Sequence, residues 1–464
     1  MARDYKTPGV YVEEITKFPP SVAQVETAIP AFIGYTEITE SPTAGTFINK
    51  PIRITSMVEY TTLFGGAKKE VGISAEVKSN AATGASDIVV KIGTPSKFKM
   101  YYSLQFYFAN GGGPCYIVSV GDYQDDTVSF DALIDGLAHS DKKDEVTLIL
   151  FPDAQDLSVD NYYNLQKAAL DSCVKLQDRF VIMDVYQADK TSVLPDEQPV
   201  NIFRNKLGAT VDVLKYGAVY YPNLETILDY EFDEEKVTVK VDGAEHALKD
   251  IKGNKNALYF QVKAAIQDKP LVMAPSAGMA GIFADVDSTR GVWKAPANVN
   301  MDYVIRPTQV VSDEEQKGLN VDMDGGKSIN VIRSFTGRGA AIVWGARTLA
   351  GNDNEWRYVS VRRFCNMVEE SVKKACGQFV FEPNDANTWV RVRAMIENFL
   401  ILQWRAGALQ GAKPDHAFYV AVGLNQTMTA IDVLEGRMIV EIGMAVVRPA
   451  EFIILKFSQM MPQS

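Results

Sequence analysis

The sequence predicts a mixed α/β protein of several domains, with an extended strand-forming segment at each end. Between residues 146 and 221, apolar strand-like runs alternate with amphipathic helical patterns, which is typical of a mainly parallel sheet covered by helices. Near both termini, short β-branched and aromatic runs adjoin proline, which favours strands over helices. At 464 residues, the chain is long enough for two or three cores.

The first twenty residues contain one strand-like segment, which ends at the Phe18-Pro19-Pro20 sequence. We predict an extended arm here, while an unstructured tail is the alternative that the pattern leaves open. Ala28–Tyr35 then predicts the first strand of a compact domain. The strand-forming side chains of the predicted arm are Val10, Tyr11, Val12 and Ile15.

The middle of the chain carries the regular alternation. Strands are predicted at Val146–Phe151, Phe180–Val185 and Gly217–Tyr221, and helices at Tyr162–Leu176 and Ile202–Leu214. Because parallel strands need crossover connections, this order predicts one sheet with helices on its faces.

Two stretches on either side of this alternation are predicted to be insertions. Residues 71–100 are polar and rich in Gly, Ser and Ala, with one candidate strand at Ile88–Ile92. Alternating valines at 237, 239 and 241 precede Asp242-Gly243, which predicts a hairpin. We expect this hairpin, within 229–250, to be an excursion from a domain.

The last third begins with short strands and two amphipathic helices. Short strands are predicted at Ile329–Ile332 and Ala341–Trp344. Apolar residues recur at helical spacing over 358–372 and again over 389–404, so each helix is expected to bury one face.

The final apolar run, Arg437–Gln459, reads as two extended segments joined at Arg448-Pro449. An unpaired apolar strand at a chain end recruits other chains, so these segments need partners. The first segment places on one parity Met438, Val440, Ile442 and Met444. The second contains Phe452, Ile453, Ile454, Leu455 and Phe457.

Composition excludes several classes of protein. The net charge of −11 argues against a nucleic-acid binder. No apolar run is long enough for a membrane span, and we expect no secretory signal at the N-terminus. The four cysteines include no CxxC pair, which favours reduced thiols and synthesis in the cytosol.

No motif indicates catalysis, a cofactor or a metal. Gly325-Gly326-Lys327-Ser328 lacks the first glycine of a phosphate loop, because position 321 is Val321. The three histidines have no zinc-ligand spacing. Ser276 is expected to cap a helix rather than act as a nucleophile. We therefore predict that the chain is not an enzyme and that it has no catalytic, cofactor or metal residues.

Distinctive blocks of sequence lie along both ends of the chain. They are Tyr5–Glu14 (YKTPGVYVEE), Ile29–Thr36 (IPAFIGYT), Asp287–Asn298 (DSTRGVWKAPAN), Val343–Thr348 (VWGART), Trp356–Arg363 (WRYVSVRR), Phe381–Trp389 (FEPNDANTW) and Pro449–Phe452 (PAEF). In this order they resemble the contractile tail sheath proteins of phages, R-type pyocins and extracellular contractile injection systems. The resemblance covers roughly residues 1–65 and 285–464, whereas the middle carries no comparable block.

The resemblance implies a domain organisation. An N-terminal arm would span 1–20, and a core domain would combine 21–70 with 286–450. A variable α/β insertion would occupy 71–285, and a C-terminal arm 451–464. Both arms would add strands to neighbouring subunits, with Met438–Met444 as the receiving strand.

The resemblance also implies a contractile assembly. Subunits would stack as six-fold rings around an inner tube and contract to drive it through a target envelope. Other partners would be baseplate and tail-terminator proteins and sibling sheath proteins, with no nucleic acid and no membrane insertion. Assembly is expected in the bacterial cytoplasm, within a phage tail or a related particle.

Between Arg357 and Arg405, eight basic residues stand against five acidic ones. Solvated helix faces explain this excess adequately, and a basic surface that docks on an acidic tube is the sharper interpretation. The residues predicted for the inner-tube contact are Arg362, Arg363, Lys373 and Lys374.

Two other functions stay open at this stage. One is an enzyme with a small-molecule site at the strand ends near Phe151-Pro152-Asp153 and Tyr186. The other is a surface-adhesion module that binds through residues 70–285.

Overall fold

The computed structural model describes residues 21–41, 45–79, 86–192, 194–322 and 325–454. Its strands, in chain order, are β1 (Pro30–Gly34), β2 (Glu40–Ser41), β3 (Gly45–Thr46), β4 (Ile52–Ile54), β5 (Ser74–Ser79), β6 (Ser86–Lys91), β7 (Cys115–Ser119), β8 (Leu148–Leu150), β9 (Phe180–Asp184), β10 (Gly217–Tyr221), β11 (Leu224–Thr226), β12 (Thr238–Val241), β13 (Ala244–Ala247), β14 (Leu271–Met273), β15 (Val304–Pro307), β16 (Asn330–Phe335), β17 (Gly339–Val343), β18 (Phe418–Ala421) and β19 (Glu441–Met444).

Helices separate these strands along the chain. They are α1 (Met57–Phe64), α2 (Met100–Ala109), α3 (Phe130–Ser140), α4 (Val159–Leu176), α5 (Pro199–Lys206), α6 (Val211–Leu214), α7 (Leu248–Asn254), α8 (Asn256–Gln267), α9 (Ser276–Arg290), α10 (Asp313–Asn320), α11 (Val359–Cys376), α12 (Ala386–Arg405), α13 (Pro414–Ala417) and α14 (Ala430–Leu434).

The described residues form two compact units. The larger unit comprises Glu26–Met367 with residues 448–454, and the smaller unit comprises residues 21–25 with Val368–Val447. The predicted domain boundaries stay a prediction. No helix in the described ranges combines the length and apolar character that crossing a bilayer requires.

An eight-stranded sheet forms the centre of the larger unit, in the order β17-β16-β10-β9-β8-β1-β7-β4. The strands from β16 to β7 run parallel, and the two edge strands are antiparallel to their neighbours. The mainly parallel sheet predicted from 146–221 is therefore confirmed. It is wider than predicted, because β1, β7 and β16 join it from distant parts of the chain.

Each face of this sheet has its own apolar cluster. Side chains alternate along the strands, so that Phe32 belongs to one cluster and Ile33 to the other. The first cluster contains residues of α2 and α9, which approach closely because Gly281 lacks a side chain. A Cβ there would lie 2.5 Å from the Tyr107 carbonyl oxygen.

The predicted helix over 202–214 is two short helices, α5 and α6. They are separated at Leu207–Gly208, where glycine disfavours helix continuation.

The predicted hairpin at 237–247 is present as β12 and β13. Asp242 and Gly243 both have positive φ, +48° and +94°, as its tight turn requires. The hairpin is more than an excursion, because β12 pairs in parallel with β5 in a four-stranded sheet. That sheet and helices α7 and α8 share a separate apolar cluster.

In the smaller unit, α12 is amphipathic as predicted and buries Val392, Ile396 and Phe399. Helix α11 is present over Val359–Cys376, but it is buried on all sides over 359–368 rather than on one face. The one-face prediction is therefore confirmed for α12, and α11 is more buried than predicted. The smaller unit also contains a two-stranded antiparallel sheet of β18 and β19.

Candidate functional site

The C-terminal segment is fastened to the larger unit at one residue, Glu451. Its carboxylate accepts from Arg347 through two parallel bonds, Nε to Oε1 at 2.8 Å and Nη2 to Oε2 at 2.6 Å. Asn320 Nδ2 and the Tyr358 hydroxyl donate to the same carboxylate, each at 3.2 Å. Burial by itself would raise the pKa of Glu451, but these hydrogen bonds and the charge of Arg347 lower it below its usual value.

The backbone of Arg347 is fixed by hydrogen bonds to a buried side chain. The buried Asn330 side chain accepts from the Arg347 N–H and donates to the Arg347 carbonyl, each at 2.8 Å. The guanidinium also donates to the carbonyls of Asn320 and Gly351, and its side chain is 4% exposed. We call the Arg347–Glu451 pair the C-terminal clamp.

A second buried pair holds the start of the larger unit near the N-terminus. Arg363 on α11 donates to both carboxylate oxygens of Asp287, at 2.9 and 2.5 Å, and stacks 4.5 Å from the ring centre of Phe283. The same guanidinium donates to the Thr27 carbonyl at 2.8 Å, and the Thr27 hydroxyl donates to Asp287 at 2.5 Å. Both charged side chains are under 7% exposed.

Beyond the C-terminal clamp, the described chain is apolar and exposed. Phe452, Ile453 and Ile454 are 71%, 80% and 79% exposed. Residues 447–454 belong to no strand within the described part of the chain. The other predicted arm residues, Val10, Tyr11, Val12, Ile15, Leu455 and Phe457, lie outside the described residues.

Among the described residues, β19 pairs with β18 on one edge and with no strand on its other edge, which we call the open edge. Gly443 lies opposite Tyr419, and the Ala445 N–H donates to Ala417, so the odd-numbered residues of β19 bond to β18. In an antiparallel pair the alternate residues direct their N–H and C=O groups outward. The outward groups therefore belong to Ile442 and Met444, which share the predicted parity. The strand is shorter than the predicted Met438–Met444, because Met438 and Val440 precede β19 and belong to no strand.

Proteins of known structure resemble this chain over nearly its whole length. The model of the phage tail sheath C-terminal domain matches residues 351–459. The sheath complex of PVC, an extracellular contractile injection system, solved in its contracted state, is 31% identical, with 99% of each chain covered and a TM-score of 0.64. The chain belongs to the contractile tail sheath family. It is a structural subunit of a contractile sheath, as its sequence blocks predicted.

Two further structures resemble this sheath subunit. The contracted helical sheath of the anti-feeding prophage is 32% identical, with a TM-score of 0.64 over 98% of this chain and 99% of that one. A chain in the contracted baseplate of the same particle is 25% identical, with a TM-score of 0.68 over 98% and 97%. A search among curated protein sequences finds no match.

The prediction that Arg362 and Arg363 contact a tube is wrong, because the structure buries both. They are 2% and 4% exposed. Arg363 pairs with Asp287, while Arg362 donates to Asn366 at 2.7 Å and stacks on Trp356 at 4.2 Å. The sequence excess of basic residues did not show that α11 is buried over 359–368 and exposed near its end, at Lys373 and Lys374.

Lys373 and Lys374 remain candidates for the tube contact. Their side chains are 70% and 44% exposed, and both reach Glu370, at 3.0 and 3.4 Å. The smaller unit carries seven basic and nine acidic side chains. It is therefore not basic overall, and a basic surface on it is confined to a few neighbouring residues.

The carboxylates at the strand ends of the sheath subunit serve its fold. Asp153 accepts from the backbone N–H of Tyr35, just after β1, and from that of Lys99, just before α2. Asp184 accepts from the Ser276 N–H and hydroxyl, at 2.8 and 2.6 Å. Ser276 is therefore not the helix cap that we predicted: it is the first residue of α9, and its hydroxyl is bound to Asp184.

A cleft of about 300 Å³ lies beside these strand ends. The described residues contain no group of three or more metal-ligating side chains. Ser276, whose hydroxyl donates to Asp184, lines the cleft, and no histidine is among the described residues that line it. The cleft therefore lacks the serine, histidine and carboxylate set of a typical hydrolase site.

The two buried arginine pairs were not predicted. Each pair connects two of the sequence blocks that carry the family resemblance; Glu451 of PAEF, for example, pairs with Arg347 of VWGART. A charged residue in a mainly apolar block could have indicated such a pair, because a buried charge requires a partner.

Proposed function

We propose that this sheath subunit polymerises by strand exchange, as stacked six-fold rings around an inner tube, and contracts to drive that tube through a target envelope. The arms of one subunit add strands to its neighbours, so the lattice stays connected while the subunits rotate. A head-to-tail contact of this kind generates a helical polymer.

The observation that carries the proposal is the exposed apolar segment after Glu451. Three consecutive large apolar side chains at 71–80% exposure are unfavourable in water, at about 25 cal/mol per Å² of apolar surface. Burial of such a segment against a second subunit, with its backbone paired, removes that cost. The open edge of β19, with outward groups at Ile442 and Met444, offers the backbone partners.

The proposed partners follow from this role. They are other copies of the subunit, an inner tube protein, baseplate and tail-terminator proteins, and sibling sheath proteins. The similarity to a chain of the anti-feeding prophage baseplate supports baseplate association. Lys373 and Lys374 are the proposed tube contacts. Assembly takes place in the bacterial cytoplasm, and the particle acts outside the producing cell.

Contraction is driven by the metastable lattice, so the proposal requires neither catalysis nor a cofactor. A folded subunit with two available packings can store the energy in its contacts.

Electron microscopy of arm deletions tests the proposal. The wild-type protein, alone or co-expressed with a tube protein, is expected to form tubes or rings. Deletion of residues 1–16, or separately of 452–464, should abolish these polymers and leave a folded subunit by circular dichroism. Polymers that persist in both deletions would show that the arms are dispensable.

A further inference from the structure

We propose that the Arg347–Glu451 clamp is the mechanical root of the C-terminal arm, and that Arg347 and Glu451 position that arm for assembly. This inference rests on the proposed strand exchange and adds a residue-level requirement to it. The clamp fixes the point and direction at which the arm leaves the larger unit. It therefore sets where a neighbouring subunit finds the strand.

The first support is that Glu451 makes all the side-chain hydrogen bonds found for this segment in the described part of the chain. Between Val447 and Ile454, every side-chain hydrogen bond found among the described residues involves Glu451. On one side of it, Arg448 and Ala450 are exposed, and on the other side the apolar arm begins. A pull on the arm is therefore transmitted to the larger unit at this carboxylate.

The second support is the rigidity of the arginine. Its two backbone groups are held by Asn330, and its guanidinium is satisfied by Glu451 and by two carbonyl oxygens. A planar fork that is bonded on both edges has one orientation. The clamp consequently fixes direction as well as attachment.

The third support is the connection of the clamp to the core. Asn330 begins β16, which lies beside β10 in the central sheet, and its side chain also donates to the Val219 carbonyl of β10. Bonded groups thus lead from the arm through Glu451, Arg347 and Asn330 to the sheet.

Glu451→Gln is the test variant, because it keeps the size of the side chain and removes the charge. Glu225→Gln is a matched control. Glu225 binds Arg306 with the same fork geometry, at 2.7 and 3.1 Å. The two carboxylates are similarly exposed, 19% for Glu225 and 21% for Glu451, but the control pair joins β11 to β15, away from either arm.

Assembly is measured by sedimentation and electron microscopy at equal subunit concentration, and folding is measured by thermal melting. We expect Glu451→Gln to lower the assembled fraction by about tenfold or more, because a bidentate charge-assisted contact is lost. Its melting temperature is expected to fall below that of Glu225→Gln, because Arg347 is 4% exposed and loses its charge partner, whereas Arg306 is 69% exposed. Assembly is therefore compared at a temperature at which both variants are folded, and there Glu225→Gln should assemble like the wild type.

A third variant, Phe452→Ser with Ile454→Ser, separates the inference from the proposed function. If this arm variant loses assembly while Glu451→Gln keeps it, the clamp inference is overturned and strand exchange stands. If the arm variant assembles normally, the proposed strand exchange itself fails. If Glu451→Gln loses assembly only at temperatures where circular dichroism shows it unfolded, the positioning role is overturned and the clamp serves subunit stability.

Discussion

Arg363 and Arg347 both place a guanidinium inside the larger unit, and in each case the fork is met by a carboxylate from a distant part of the chain. Separations of 76 and 104 residues lie between the partners. Buried pairs of this kind add little net stability, because desolvation offsets their attraction, but an unpaired member is strongly unfavourable. The two pairs therefore fix the positions of Thr27 and Glu451 in the folded chain.

Asp184 provides a pH-dependent prediction at the same scale. Burial raises its pKa to about 7, against about 3.9 in an unfolded chain. The folded state therefore holds more protons between these values, and this group lowers stability as pH rises from about 4 to about 7. Asn at position 184 does not titrate, so Asp184→Asn does not lose this stability as pH rises. The unfolding free energy of the variant minus that of the wild type should therefore increase by roughly 2 kcal/mol from pH 5 to pH 8.

Denaturant unfolding at several pH values measures the effect. Asp160→Asn, which changes an exposed carboxylate on α4, is the control and should follow the wild-type pH dependence. An Asp184→Asn curve parallel to the wild type would contradict the assignment.

Phe381 gives a second residue-scale prediction. Its backbone has φ +70° and its side chain is fully exposed, at 102%, so a strained conformation is kept without any packing in the subunit. Phe381→Gly should raise the unfolding free energy by about 1 kcal/mol, because glycine adopts this conformation freely. The neighbouring Val380→Gly should instead lower it. Equal effects from both would contradict the strain argument.

At the scale of elements, the open edge of β19 is the proposed site of strand addition. The N–H of Ile442 points away from β18. Proline is tolerated where an edge N–H faces outward, so Ile442→Pro should preserve the hairpin and block an added strand. We expect it to abolish polymers in electron microscopy while the subunit stays folded.

Ile442→Ala is the control for this substitution, because it removes the side chain and keeps the N–H. It should assemble far better than Ile442→Pro. Equal assembly of the two variants would mean that no strand is added at this edge.

At the scale of the whole molecule, the proposed contact with the inner tube can be tested by substituting two lysines. Exposed ion pairs are worth about 1 kcal/mol or less each, which suits a contact that must release during contraction. Lys373→Gln with Lys374→Gln should weaken co-sedimentation with the tube protein by up to about tenfold, more at low salt than at high salt.

The control for the lysine variant removes two other charges from the smaller unit. Arg405 and Lys413 are exposed, and Arg405→Gln with Lys413→Gln should leave tube binding close to wild type. Identical weakening in both double variants would indicate a general charge effect and would remove Lys373 and Lys374 as specific contacts.

The sequence by itself determined the local elements and the family. Apolar runs such as Phe180–Val185, the Asp242-Gly243 turn and the stripes of α11 and α12 depend on neighbouring residues, so their periodicity was sufficient to predict them. The ordered blocks along the two ends identified the sheath family, because their order and spacing can be read without coordinates.

Only the tertiary structure decided which charges are buried and what they hold. Arg362, Arg363, Lys373 and Lys374 look alike in a charge count, yet the first two are buried and the last two are exposed. Burial depends on which part of a helix other elements cover, and the partners of Arg347 and Arg363 are far away in the chain. Long-range contacts of this kind leave no local pattern, so the clamp at the root of the arm became visible only in the folded molecule.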